Sequence, residues 1–283
     1  MKTPKRIQPL VQEGLIDEVL RQLMSGKEAT VYVVRCGHDI RCAKVYKDAT
    51  QRSFHQAVAY QEGRRMKNSR QARAMQKGTR YGRKMAEEVW QNAEVDALYR
   101  LASAGVRVPT PYVCFKGVLL MELVTDADGN AAPRLNDVEL NRDRALAFHA
   151  MLLQQVVLML CAGVIHGDLS EYNILVDEHG PVIIDLPQSV DAASSSVAST
   201  MLERDLTNLS QFFGNFAPEL LISQYGKEIW NLYQAGLLTP DSPLTGRVAA
   251  PTGPADFNAV IQEIKLARQE EEDQRRYEMA RLG

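Results

Sequence analysis

His166-Gly167-Asp168-Leu169-Ser170-Glu171-Tyr172-Asn173-Ile174-Leu175, followed after six intervening residues by Val182-Ile183-Ile184-Asp185-Leu186, is the stretch on which the reading of this chain turns. The runs ILVD and PVIIDL have the β-branched composition of short strands. Asp168, Asn173 and Asp185 therefore sit on two loops flanked by those strands. Taken singly, Asp168 or Asn173 reads as a turn former, and Asp185 as a strand end bonded to its own backbone. Taken together they form a set of hard oxygen groups. Phosphoryl transfer needs oxygen ligands for magnesium on the phosphates, a task that suits Asn173 and Asp185. It also needs a separate carboxylate to align or deprotonate the acceptor, which suits Asp168. His166 reads as a scaffold residue that fixes the loop by hydrogen bonding.

Upstream, residues 143 to 162 are apolar nearly all round, as in the central helix of a core. Gln154 and Gln155 interrupt that stretch, so it falls short of a bilayer span and no membrane is expected. Before it, PYVCF and GVLLMELV read as strands, and the linker TDADGNAAP separates them from the helical remainder. The expected boundary divides residues 1–124 from 125–283. The backbone of Glu122 and Val124 at that boundary offers groups to an adenine edge, with Met121 behind. A helix from Ala86 carries Trp90, Ala97, Leu98 and Leu101 on one stripe, together with the carboxylate of Glu94. A carboxylate facing a core calls for a partner.

That partner is expected in CAKVYK, where strand alternation turns Ala43 and Lys44 to opposite faces. A lysine there can simply snorkel from an edge. Pairing with Glu94 gives it instead the task of holding phosphates. Glu87 and Glu88 compete for the role, although they lie nearer the helix start, where the dipole alone favours carboxylates. The turn Ser25-Gly26-Lys27 enters a strand where a phosphate-covering loop would lie, and it offers backbone amides, the Ser25 hydroxyl and Lys27. An ordinary hairpin entry explains it equally well. Residues 10 to 23 show helical apolar spacing and predict an opening amphipathic helix.

At 283 residues and 45% hydrophobic content, the chain can bury a full core, and its length suits one two-lobed domain or two small domains better than an array. No signal-peptide pattern opens it, and four cysteines without paired spacing predict reduced, partly buried thiols in a cytoplasmic setting. The net charge of −2 conceals nine basic residues and no acidic one between Arg64 and Lys84. That segment suits nucleic-acid phosphates or a solvated loop in equal measure. The last segment, KLARQEEEDQRRYEMARL, reads as a solvated charged helix. Ala217-Pro218-Glu219 is read as an incidental loop.

The order and spacing of Asp168, Asn173 and Asp185 match the catalytic-loop and metal-binding positions of protein kinases. Together SGKEATVY, CAKVYK, MELV, HGDLSEYNIL, IIDLPQSV and MLERDLTNLSQFF resemble the RIO family of atypical serine/threonine protein kinases, its type-one branch more than its type-two. The resemblance spans roughly residues 8 to 216. It implies an α+β, two-lobed protein-kinase-like fold, with a small antiparallel-sheet N-lobe and a mainly helical C-lobe lacking the usual activation segment. It implies a protein kinase or autophosphorylating ATPase, with ATP and magnesium, or manganese, as cofactors and Asp168 as catalytic base. Asn173 and Asp185 would bind metal, Lys44 would pair with Glu94, and Asp185 would be the carboxylate of an aspartyl-phosphate. Implied partners are a protein substrate or the chain itself, and pre-ribosomal RNA or protein through the basic segment. The hydroxyl-rich stretch Ser194, Ser195, Ser196, Ser199 and Thr200 would then receive phosphate. HGD followed by Asn and IID is also similar to aminoglycoside and choline phosphotransferases, which makes a small alcohol the alternative acceptor. A catalytically silent RNA-binding or assembly factor is the remaining reading.

Overall fold

A computed structural model describes residues 3–26, 28–47 and 93–248. Lys27, Glu87, Glu88, Trp90, the basic segment and the charged C-terminal segment lie outside the described residues. The chain forms a two-lobed α+β fold: a five-stranded antiparallel sheet, then a mainly helical part.

A short helix α1 (Gln8–Gln12) precedes strands β1 (Glu18–Ser25), β2 (Ala29–Cys36) and β3 (Asp39–Tyr46). The opening helix expected over residues 10 to 23 is thus corrected to a helix that ends at Gln12 and a strand. Gly14 at φ +69 follows the helix end, a conformation glycine adopts without cost. Beyond it, β1 pairs antiparallel with β2, Val19 against Val34. Ile7, Leu10, Ile16 and Val19 pack with Val34, Ala43, Val45, Val118 and Leu120 on one face of the sheet. Strand pairing and that shared core outweigh helical spacing.

Helical residues 93–103, here α2, lead to β4 (Pro111–Phe115) and β5 (Val118–Glu122), giving sheet order β1-β2-β3-β5-β4. The β4–β5 turn holds Lys116 and Gly117, both at positive φ, as a two-residue hairpin requires. On α2, Val95, Ala97, Leu98 and Leu101 are buried in the main core, which includes Tyr46 and Leu119 from the sheet and most of the helical part.

The connector after Glu122 folds on itself through a bridge from Thr125 to Ala131 and joins the helical part where Arg134 pairs with Leu175. Helix α3 (Arg142–Cys161) starts at Asn141, whose side chain accepts from the Arg144 N–H. By length and composition α3 could cross a membrane. Here it buries Ala145, Leu152, Leu153, Val157 and Leu160 in the core. Gln155 accepts from the Arg107 N–H at 2.7 Å, and Gln154 donates to the Pro240 carbonyl at 2.6 Å. Strands β6 (Val164–Ile165) and β9 (Val190–Asp191) form one ribbon, β7 (Ile174–Asp177) and β8 (Gly180–Ile183) another. Helices α4 (Ala198–Gly214) and α5 (Tyr225–Gln234) close the core, joined by a 3-10 turn, Pro218–Ile222. Ala217 is fully buried and Glu219 pairs with Arg142, so Ala217-Pro218-Glu219 is a packed junction and not an incidental loop.

The four cysteines are unpaired; Cys42 is buried and Cys36 half-buried. Cys114 and Cys161 are exposed, which corrects the expectation that all would be partly buried.

Candidate active site

Strand alternation sets the first half of the site. On β3, Ala43 and Val45 face the smaller core, while Cys42 and Lys44 point the other way, toward the cleft. Burial pushes the Cys42 thiol up to about 12, so it stands there as an inert apolar group. Lys44 Nζ donates to Glu94 Oε1 at 2.5 Å and to Asp185 Oδ1 at 3.0 Å. Burial works against the Lys44 charge, yet the Glu94 and Asp185 carboxylates outweigh it and hold the ammonium well above the usual lysine range. Glu94 is 4% exposed on α2, and Lys44 is the partner a buried carboxylate requires. Tyr46, which the sequence reading did not single out, lies under the pair with Lys44 Nζ 5.8 Å from its ring centre. Burial and the Glu94 carboxylate push its phenol far up, so it stays neutral.

The second half lies between β6 and β9. His166 Nδ1 accepts from the Asp168 N–H at 3.2 Å, which assigns the proton to Nε2, 3.0 Å from the Ile184 carbonyl. One imidazole thus joins the loop of Asp168 to the loop of Asp185. Gly167 sits at φ +81, and a Cβ there would stand 2.7 Å from the Gln188 carbonyl oxygen. Only glycine lets the 186–189 turn come so close.

Asp205, on α4, is buried and accepts from the Gly167 N–H at 2.7 Å and the Leu169 N–H at 3.0 Å. The two oxygens of one carboxylate therefore hold the backbone on both sides of Asp168, and Arg204 donates to the Gly167 carbonyl. Nothing local in the sequence marks Asp205, because its partners lie 36 and 38 residues away. A lone acidic residue among apolar positions on a helix was the available signal, as it was for Glu94.

Asp168 itself receives the Gln188 amide at 3.1 Å on Oδ2. Burial raises its carboxyl above the ordinary range; His166 and Arg204 pull the other way and Asp185 adds to the rise. Asn173, in the 3-10 turn Glu171–Asn173, donates its amide to the Asp168 carbonyl at 2.9 Å, which leaves its side-chain oxygen as the acceptor end. Asp185 adopts φ +67, uncommon for a non-glycine residue and characteristic of functional loops. Partial burial pushes its carboxyl up, but Lys44 outweighs this and holds it below the usual range. Its side chain is 46% exposed. An ionised, half-exposed carboxylate beside an amide oxygen fits a magnesium ion shared with phosphates. Among the described residues no cluster of three His, Cys, Asp or Glu offers a protein-only metal site.

The remaining predicted residues rim this centre. The Gly26 N–H bonds to the Ala29 carbonyl at 2.9 Å, and Lys47 Nζ holds the turn through the Gly26 carbonyl at 2.6 Å and the Ser25 hydroxyl at 3.2 Å. Ser25 also meets Thr30 at 3.3 Å. On the connector, the Glu122 N–H is taken by Thr110 and the Val124 carbonyl by Ala132. Met121 is half-buried opposite Cys42 in the β3–β5 register. Ser194 and Ser196 are exposed in a turn braced by the Asp191 carboxylate, which accepts from the Ala193 and Ser194 N–H groups.

A family model described as RIO domain matches residues 30–225. The RIO-type serine/threonine-protein kinase Rio1 of Haloferax volcanii is 31% identical over 208 residues, covering 73% of this chain and 67% of that protein. The serine/threonine-protein kinase rio1 of Schizosaccharomyces pombe is 30% identical over 207 residues, with coverages of 72% and 40%. For serine/threonine-protein kinase RIO1 of Homo sapiens the identity is 31% over 206 residues, with coverages of 72% and 34%. The matched part thus spans about two-thirds of the archaeal protein and two-fifths or less of the fungal and human ones.

Proposed function

The chain belongs to the RIO family of serine/threonine-protein kinases, and on that premise we propose that it transfers the γ-phosphoryl group of ATP to a serine or threonine hydroxyl. The observation that carries this reading is Lys44, which joins Glu94 of the sheet lobe to Asp185 of the helical lobe within hydrogen-bonding distance of both.

Lys44, kept charged by its two carboxylates, holds the α- and β-phosphates. Asn173 and Asp185 would hold a magnesium ion, which would supply positive charge to offset that of the phosphates. Asp168 orients the acceptor hydroxyl and takes its proton on the oxygen not occupied by Gln188. A carboxyl whose pKa is raised is the better proton acceptor in that step. The Glu122 carbonyl and the Val124 N–H are the groups assigned to the adenine edge, and the Ser25-Gly26 turn is assigned to cover the phosphates. The acceptor is assigned to a protein, this chain included, on the strength of the relatives' names. The segment from Arg64 to Lys84 is assigned to an anionic partner such as ribosomal precursor RNA on its charge, and the cytoplasm is the proposed setting on its unpaired cysteines.

Incubation with γ-labelled ATP and magnesium tests the reading, with Lys44→Ala, Asp168→Asn and Asp185→Asn alongside. Acid-stable label on protein that all three substitutions abolish is the expected result. Label labile to hydroxylamine would locate the phosphate on an acyl group, with Asp185 as its bearer. A wild-type protein that neither labels nor releases phosphate would overturn the assignment and make small alcohols the next acceptors to try.

A further inference from the structure

A guanidinium stands across the mouth of the cleft. Arg134 leaves the connector where its backbone pairs with Leu175, and the carbonyl of Pro133 receives the Val176 N–H. That fixes its base on β7, immediately after Asn173. From there Nη2 reaches the opposite lobe and meets Met24 Sδ on β1 at 3.0 Å. Met24 pairs with Val31 on β2, and Val31 with Lys44 on β3. The Arg134 cation and the Lys44 cation thus lie on one line across the sheet, one at the open edge and one at the closed interior.

The contact that Arg134 makes is a poor match for its chemistry. A guanidinium presents a fork of donors suited to paired anionic oxygens, whereas a thioether is a weak, uncharged acceptor. Met24 is itself 42% exposed, so the sulfur shields the cation little from a competing ligand. Among the described residues Arg134 forms no salt bridge. Its field nevertheless reaches into the site, where it adds to Lys44 in holding Asp185 ionised.

We infer that Arg134 is a nucleotide-binding residue supplied by the helical lobe, which exchanges the Met24 sulfur for phosphate oxygens of ATP. Lys44 and Arg134 then bracket the polyphosphate from inside and outside, and the outer contact draws the β1–β2 turn and the helical lobe onto the same ligand. The inference rests on the ATP-dependent reading given above.

Calorimetric titration of the full chain with magnesium-ATP and, separately, with adenosine tests it on wild type, Arg134→Gln, Arg134→Lys and Met24→Leu. Arg134→Gln is expected to weaken ATP by about tenfold or more, the usual cost of a lost charge-assisted contact, with adenosine unaffected. Arg134→Lys recovers part of the loss, and Met24→Leu stays within about twofold of wild type, as a surface substitution should. Unchanged ATP affinity in Arg134→Gln overturns the inference while leaving the kinase reading intact. An equal loss of ATP and adenosine also overturns it, because that would mark Arg134 as a structural brace. If the wild type takes no ATP, the kinase reading itself falls and carries this inference with it.

Discussion

Gln188 is the residue through which the proposed acid–base chemistry can be tested most directly, because its amide donates to one oxygen of Asp168. A donor to a carboxylate favours the ionised form. Burial already raises the Asp168 pKa above the ordinary range, and removing the donor should raise it further. Activity that needs ionised Asp168 falls as pH drops through that pKa, so Gln188→Ala should move the acid limb of the kcat profile to higher pH. The plateau should fall by less than about tenfold, as for loss of one neutral hydrogen bond. An acid limb that stays in place would show that Gln188 only fills space. Asp168, Asn173, Asp185 and Lys44 were legible in the sequence because each has its chemistry written into a short motif. Asp205, Tyr46 and Arg134 were not, because Gly167, Glu94 and Met24, the groups they meet, come near them only in the folded chain.

Among the elements, the strands of the sheet beyond β1 were legible from β-branched runs and glycine turns, whereas β1 read as helix. Its apolar residues satisfy both periods, and only the pairing of Val19 with Val34 decides between them. The catalytic loop depends on Gly167, where φ +81 and the nearby Gln188 carbonyl both exclude a side chain. Gly167→Ala should displace the 186–189 turn against Asp168 and lower kcat on the order of 10²-fold, the cost of roughly an ångström of misplacement. A crystal structure of the variant with that turn unmoved would refute the account. The packing of α3, α4 and α5 offers a separate test in His149, buried between the Phe213 and Tyr225 rings. Burial lowers its pKa from 6.5 to about 4. The folded state thus resists a proton that the unfolded chain accepts, so the stability contributed is complete above pH 6.5 and is lost as pH falls toward 4. The loss amounts to about 3 kcal/mol at most. Urea unfolding at pH 7 and pH 4.5 should show His149→Phe losing less stability than wild type over that interval.

At the scale of the whole molecule, the two lobes are joined behind the cleft by Arg107. Its guanidinium donates to both oxygens of Asp177 at 2.6 and 2.8 Å, while its own N–H bonds to Gln155 and its carbonyl accepts from Ile183. The segment that follows α2 is therefore tied at once to α3 and to the β7–β8 ribbon, and the position of Glu94 depends on that tie. Arg107→Ala leaves Asp177 partly buried without its cation and should cost on the order of 2–3 kcal/mol. A parallel drop in activity at temperatures where the variant remains folded is expected, since α2 carries Glu94. Thermal unfolding unchanged within a degree would show the tie to be dispensable. The division into a sheet lobe and a helical lobe was legible from the composition shift after Glu122; this rear clasp was not, because an arginine and an aspartate 70 residues apart carry no local mark.

The two glutamines at the centre of α3 have a further consequence. A cylinder apolar on nearly every side is held in a core by forces that scarcely distinguish one azimuth from the next. Gln154 and Gln155, a hundred degrees apart on a helix, remove that degeneracy: one must meet the Pro240 carbonyl while the other meets the Arg107 amide. Replacing both with leucine would leave the helix as cohesive as before and deprive it of a unique phase. The residues that look least suited to an apolar helix are those that tell it which way to face.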